Sequence, residues 1–250
     1  VSPKSTVEQI RARFDADVER FSNLETGQSA AIDSPLCLER IAEAAVAITP
    51  GARHLLDVGC GAGNYAIKLL EKFSRKLPDN QTESRRSACD VTLLDLSRPM
   101  LDRAKERVSA ATTGAVETLQ ADIREIDLGR ERFDVIVAAS TLHHLRTDDE
   151  WESVFAKLFA ALRPGGSLWI YDLLESDSPH IAALDREGYA AHLEALGGPA
   201  YVQKVFAYIE AEDTPRSLEY QLELLRRVGF DRTHVLHKRY CFAAFGGVKA

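Results

Sequence analysis

Apolar residues fall into short, nearly unbroken runs at 54–58 ("HLLDV"), 90–96 ("DVTLLDL"), 115–121 ("AVETLQA"), 133–140 ("FDVIVAAS") and 166–174 ("GSLWIYDLL"). Between the runs they recur every three to four positions, around 65–73, 98–110 and 150–162. Short runs favour strands and the longer period favours helices, so the alternation predicts βαβ units on a parallel sheet. The runs at 54, 133 and 167 are apolar almost throughout, as expected of central strands covered by helices on both faces.

The two ends depart from this rhythm. Residues 5–21 and 35–48 pattern as two amphipathic helices, the second with Ser34 as N-cap and Pro35 at its first helical position. Near the C-terminus "SLEYQLELLRRVGF" predicts a helix closed by Gly229, and "THVLHKRYCFAAFGGVKA" two strands broken near Lys238 and Arg239, a spacing that suits an antiparallel pair. Residues 176–215 are helical in composition and interrupt the βα alternation. This insert is expected to be either a lid over a site or the contact surface of a homodimer. The polar run at 74–87 reads as a surface insertion. The chain therefore divides as one domain, 1–250: N-terminal helices over 1–49, a core over 50–174, the insert over 175–215, and a final helix and strand pair over 216–250.

Composition narrows the class. The 250 residues are 45% hydrophobic and 28% charged, ordinary values for a globular protein long enough to bury a large core. No apolar run reaches membrane-spanning length and "VSPKSTVEQIRARF" lacks an export pattern, so a cytoplasmic location and no membrane partner are expected. The four cysteines show no C-x-x-C pairing, which indicates neither a zinc site nor a disulfide framework, and no metal is expected. A net charge of −7 argues against a general phosphate-backbone binder, although "SRRS" could form a local basic patch.

The candidate chemistry gathers at the strand ends. In "LLDVGCGAGNYAIKLL", Asp57 precedes glycines at 59, 61 and 63, at the junction of the first strand and its helix. Ligands of open α/β sheets bind beyond the carboxyl ends of the strands, and glycines there let a ligand approach bare backbone and helix N–H groups. The spacing is G-x-G-x-G followed by Asn64, not the G-x-G-x-x-G of dinucleotide folds, which weakens a nicotinamide reading. Asp95 ends the second strand, where it could accept from both hydroxyls of a ribose or serve only as a turn residue. After the third strand, Asp122 could accept from an adenine amine, with Ile123 and Met100 sandwiching the ring, or could merely cap its loop.

Together "LLDVGCGAGNYAIKL", "VTLLDLSRPML", "LQADI", "FDVIVAASTLHHL" and "LRPGGSLWIYDLL" resemble, in order, the motifs of class I S-adenosylmethionine-dependent methyltransferases. The resemblance implies an α/β, Rossmann-like fold: a seven-stranded, mostly parallel sheet with helices on both faces, an antiparallel last strand and a helical insert after the fifth strand. It implies S-adenosyl-L-methionine as cofactor. Asp57 with Gly59, Cys60, Gly61 and Gly63 would hold its methionine moiety, Asp95 followed by Leu96 its ribose, and Asp122, Ile123 and Met100 its adenine. Ala139 and Ser140 would line the path to the sulfonium. Methyl transfer mainly requires in-line alignment and exclusion of water, with base help only for a hydroxyl or protonated amine. His143 and His144 are the catalytic candidates, with Tyr171, Asp172 and Glu175 nearby in sequence; the histidines could equally serve packing or cofactor contact.

The two leading helices, "GYAAHLEAL" after the fifth strand, the helix region "VFAYIEAEDTPRSLEYQLELLRRVGF" and the closing "YCFAAFGGVK" also resemble in layout the enzymes that make carboxy-S-adenosylmethionine for wobble-uridine modification, which hold the extra carboxylate with an arginine after the fifth strand. Val205, with Lys204 beside it, stands at that place here, so ordinary methyl transfer is the expectation. The acidic chain, and "AAST" where base amino-methylating enzymes carry N-P-P-Y, favour a small-molecule acceptor over tRNA. A cofactor-binding regulatory subunit without turnover is the alternative of a different class.

Overall fold

The computed structural model describes residues 4–22, 29–75 and 87–250. Seven strands form one sheet: β1 (His54–Val58), β2 (Asp90–Asp95), β3 (Val116–Gln120), β4 (Phe133–Ala139), β5 (Leu162–Leu173), β6 (Arg232–Arg239) and β7 (Phe242–Val248). Their order is β3-β2-β1-β4-β5-β7-β6. The pairings from β3 to β5 are parallel, and β7 runs antiparallel to both β5 and β6. The order reverses beside β1, whose neighbours are β2 and β4. That puts the first glycine loop at the topological switch point, where open sheets bind ligands.

Period-two alternation feeds two cores. Leu55, Val135, Val137, Trp169 and Tyr171 point to one face; Leu56, Val58, Ile136, Ala138, Leu168 and Ile170 point to the other. The first face is covered by α3 (Ser34–Ile48), α4 (Asn64–Arg75), α5 (Arg98–Ala111) and part of α7 (Pro179–Glu212); the second by α6 (Asp148–Ala161) and α8 (Leu218–Val228). Burying each such large side chain contributes roughly 1.5–3 kcal/mol, so the two-sided sheet is a rigid platform for its loops.

Several boundaries differ from the sequence expectation. The stretch 5–21 is two helices, α1 (Val7–Ala16) and α2 (Val18–Ser22), because the Asp17 N–H turns back to the Phe14 carbonyl at 3.1 Å. The N-cap of α3 is Asp33 at φ 58°, and Ser34 lies inside the helix, buried. The carboxylate of Asp33 makes no capping bond because it accepts from His237 and Arg239 of β6, at 2.8 and 3.0 Å. β5 begins at Leu162, four residues early, where Phe133 pairs with Leu162 before a register shift. The insert is helical as expected, but α7 breaks at Gly198, whose φ of 74° and ψ of −177° precede Pro199. Of the surface insertion expected at 74–87, residues 76–86 lie outside the described residues.

Candidate functional site

The glycine loop leaves β1 at Val58, and its three glycines have different reasons to be there. A Cβ on Gly59 (φ +64°) would come within 2.0 Å of Thr141 Oγ1, and one on Gly63 (φ +80°) within 2.9 Å of a Val108 methyl on α5. Those two let the loop pack against its neighbours. At Gly61 (φ +49°) a Cβ would meet nothing within 4 Å, so this residue turns bare backbone toward open space. Such a cradle is what an extended ligand needs, and a side chain would fill it.

Two carboxylates frame the loop. Asp57 is buried, and its Oδ2 accepts the Ala66 N–H at 3.1 Å in the first turn of α4. Burial pushes this carboxyl up to about 7, with Asp95 adding to the rise and the Ala66 bond opposing it. Asp95 accepts the Gly61 N–H at 2.8 Å on one oxygen and the Ser97 N–H at 2.9 Å on the other. Burial raises its carboxyl as well, against these backbone bonds. Cys60 is buried, its N–H donating to the Leu94 carbonyl at 3.0 Å, and burial drives its thiol well up, so it acts as packing.

A smaller cavity of about 120 Å³ runs along the glycine loop past Asp57, Met100, Ala139 and Ser140; a larger one of about 520 Å³ continues past Leu96, Asp122 and Ile123. Gly59, Asp95, Leu96, Thr141 and His144 belong to both, so they make one groove. Residues 4–8 and Ile10 cover its outer end. Met100 and Ile123 line different parts of the groove. Leu96, not Met100, shares the outer part with Ile123. The carboxylate of Asp122 is held by the Arg124 fork at 2.6 Å, and Arg124 reaches Glu150 at 3.2 Å. Although burial acts to raise it, Arg124 holds the Asp122 carboxyl below its ordinary value.

Beyond the smaller cavity lies a chamber of about 590 Å³, walled by Phe14, Tyr189, Tyr201, Tyr208 and Phe242, with Lys204 and Val205 in its lining. It meets the groove at Phe14, Ser140 and His144. Ser140 sits at φ +51°, a strained conformation for a residue with a side chain, fixed by its N–H donating to the Tyr171 carbonyl at 2.7 Å.

The histidines follow on a 3-10 turn, Leu142–His144. Asp172, wholly buried at the end of β5, accepts the Leu142 and His143 N–H groups at 2.9 and 3.1 Å and also holds the Nδ1 of His143. Asp213, just past α7, brings Oδ1 to 3.3 Å from His144 Nδ1 and 3.8 Å from His143 Nε2. Burial alone would lower His143, but Asp172 and Asp213 raise it to about 9. Burial and the neighbouring His143 lower His144. Near neutrality the first imidazole is therefore a cation and the second neutral.

The remaining sequence candidates fall elsewhere. Tyr171 donates its hydroxyl to the Ile32 carbonyl at 2.7 Å within the core, and Glu175 is exposed and lines neither the groove nor the chamber. Of the insert's rings, the three tyrosines line the chamber while His192 contacts the Ser29 carbonyl at 2.9 Å and His180 is exposed. Sequence reading missed Thr141, Phe14 and Asp213. Only Thr141, in the same motif as the histidines, carried any signal.

A family model described as a methyltransferase domain matches residues 55–166. The carboxy-S-adenosyl-L-methionine synthase of Shewanella amazonensis is 28% identical over 207 residues, covering 81% of this chain and 78% of the relative. Among solved structures, an O-methyltransferase family protein of Burkholderia thailandensis superposes with a TM-score of 0.64 at 16% identity, over 96% of this chain and 62% of that one. Human N-acetylserotonin methyltransferase, solved with S-adenosylmethionine, gives 0.57 at 14% identity, over 98% of this chain and 58% of that one. The chain spans about three fifths of the length of these two solved proteins, whose likeness is one of fold. Among the described residues, no helix is long and apolar enough to cross a membrane. The five motifs in order, the bare Gly61 cradle between two acids at the switch point, the methyltransferase-domain match over residues 55–166 and a layout like that of the carboxy-S-adenosylmethionine synthase relatives together support a class I S-adenosylmethionine-dependent methyltransferase, with S-adenosylmethionine as its cofactor.

Proposed function

We propose that the protein transfers a methyl group to a small, partly aromatic acceptor bound in the tyrosine-lined chamber. The observation that carries this reading is the junction at Ser140 and His144, where the cofactor groove opens into a second chamber of ligand size. When bound, S-adenosylmethionine supplies a methyl group already activated on a sulfonium. What remains for the chain is alignment, exclusion of water and removal of a proton where the acceptor carries one.

Asp57 and the Gly61 backbone hold the methionine end, Asp95 the ribose, and Leu96, Asp122 and Ile123 the base. Asp122 has lone pairs left after pairing with Arg124, so it can accept one further N–H. His143, held as a cation by two carboxylates, cannot accept a proton near neutrality. His144 can. The Asp213 oxygen beside its Nδ1 favours the tautomer with the proton there, which leaves Nε2 as the basic atom. It would take the proton of an acceptor hydroxyl or ammonium and return it to solvent. The phenyl and phenol rings of Phe14, Tyr189 and Tyr208 fit a flat acceptor.

Val205 in the chamber lining offers nothing to a carboxylated cofactor, and Lys204 beside it could supply charge but not a bidentate fork, which supports ordinary methyl transfer. The experiment is turnover of S-adenosylmethionine against a panel of phenols, aromatic amines and aromatic acids, with methylated product identified by mass spectrometry. Methylation of at least one class is expected. Tight binding of S-adenosylhomocysteine with no turnover across the panel would instead support a regulatory subunit.

A further inference from the structure

The histidine pair and Asp213 have a second chemical capacity. One donor atom each from His143, His144 and Asp213 can be chosen so that all lie within 4.8 Å of one another. A tetrahedral ion with bonds of about 2.0–2.1 Å sets its ligands roughly 3.3–3.4 Å apart. The separations to Asp213 Oδ1, 3.3 Å from His144 Nδ1 and 3.8 Å from His143 Nε2, are close to that edge.

Two further observations point to a ligand. His144 Nδ1 and Asp213 Oδ1 are buried and, although 3.3 Å apart, are not aligned for a hydrogen bond, and neither has another hydrogen-bond partner among the described residues. Leaving such atoms unmatched costs free energy that a shared cation would recover. Asp172 holds Nδ1 of His143, the carboxylate–imidazole arrangement that orients the other ring nitrogen toward a metal. Among the histidines, only this one has a fully buried carboxylate behind it in the described residues.

We propose that His143 Nε2, His144 Nδ1 and the Asp213 carboxylate form a three-ligand site for a divalent transition-metal ion of the zinc class, with its fourth position open to the chamber. Two imidazoles and one carboxylate suit a borderline ion better than magnesium or calcium, which prefer all-oxygen shells. Binding displaces the Nε2 proton of His143 to solvent, and the ion replaces that positive charge between Asp172 and Asp213. An oxygen or nitrogen of the acceptor would take the fourth position, and the ion then supersedes His144 as the group acting on the acceptor's proton. Only this last step rests on the proposed methyl transfer; metal binding itself does not.

The test uses the whole chain, stripped with a chelator and titrated with Co²⁺ in visible absorbance, then with Zn²⁺ in competition. One equivalent, with an intense tetrahedral band that Zn²⁺ abolishes, is expected. Asp213→Asn and His144→Gln should each weaken binding by about 100-fold or more, and Asp172→Asn by about 10–100-fold. His180→Gln, on the exposed start of α7, should change nothing. Thermal melting of each metal-free variant identifies any that fail to fold, and a folded one among the first two suffices. Absence of a stoichiometric band, or unchanged affinity in a folded Asp213→Asn or His144→Gln variant, overturns the proposal. S-adenosylhomocysteine titrated into the same stripped protein reads the cofactor site separately: its binding without Co²⁺ binding sinks the metal site and leaves methyl transfer standing.

Discussion

The Gly61 N–H donates to Asp95 Oδ2 at 2.8 Å, so the loop after β1 is tied to the acid that ends β2. The other oxygen of Asp95 is held at 2.9 Å by the Ser97 N–H, and Ser97 in turn caps α5 by accepting the Met100 N–H at 3.3 Å. One carboxylate thus fixes the cradle, the start of α5 and its own orientation. Its unused lone pairs are free for the ribose hydroxyls that the proposed function assigns to it.

Asp95→Ala removes both functions. Losing hydrogen bonds to a charged acceptor costs about 1.5–3 kcal/mol, so the dissociation constant for S-adenosylhomocysteine should rise roughly 10- to 150-fold by calorimetry. Undiminished affinity would remove Asp95 from the cofactor site.

The glycines separate folding from binding. Gly61→Val meets no atom within 4 Å, so it should lose only the roughly 1–2 kcal/mol that a side chain costs at φ +49° and still fold, while abolishing cofactor binding because the side chain fills the cradle. Gly59→Val drives its Cβ to within 2.0 Å of Thr141 Oγ1 and should cost stability as well, on the order of 1–3 kcal/mol of overpacking. Retained binding in a folded Gly61→Val variant would show the loop to be a turn and no more.

That contrast marks how far the sequence could be read. The strands at 54, 90 and 133 and the glycine loop were legible because local periodicity and backbone demands coincide there. The place of Asp95 at the end of β2 was legible because the apolar run stops there. What stayed hidden depends on contacts distant in the chain. The capping bond expected of Ser34 gives way to an Asp33 occupied by β6, and the histidine pair is completed by Asp213, which no spacing links to "LHH". The difference between His143 and His144, adjacent and identical in kind, comes from the buried Asp172 and Asp213 that raise His143 and from burial and the charge of His143 that lower His144.

Asp57 gives a pH dependence. Burial holds its folded carboxyl near 7, above the ordinary value of 3.8, so the empty protein keeps that proton until near neutrality. In the proposed placement of the methionine end, the α-ammonium of S-adenosylhomocysteine needs the ionised form. Below pH 7 each complex must first expel a proton, and affinity should fall by up to tenfold per unit; above pH 7 it should level off. The same raised value means that folding stability contributed by this group falls as pH rises from about 4 to 7 and is constant above. Asp57→Asn should bind more weakly with a flat profile over pH 5.5–8. A flat wild-type profile would remove the carboxylate from the ammonium's site.

The N-terminal helix should act as a strap across the groove, because its fastening lies at the far end of the insert. Ser5 donates to Glu212 Oε1 at 2.6 Å and Arg13 to the same oxygen at 2.9 Å, while Lys4 donates to the Glu210 carbonyl at 3.0 Å and to the carbonyl of Asp213. Glu212 is buried to 6% exposure, where an ion pair to Arg13 is screened less than on the surface. Glu212→Ala removes the Ser5 and Arg13 fastenings of α1 to α7 and leaves the Lys4 bonds to backbone carbonyls, while Glu212 itself lines neither the groove nor the chamber. Hydrogen exchange over α1 should quicken, and cofactor should bind more weakly through faster release, by about threefold to tenfold, the scale of one partly buried pair. In the wild type, S-adenosylhomocysteine should slow exchange over α1 and the second half of α7 as well as over the glycine loop. Protection confined to the loops at 59–63, 95–100 and 122–123 would show that neither segment closes the site. The insert would then be better explained as a contact between two copies, visible as a concentration-dependent mass in sedimentation.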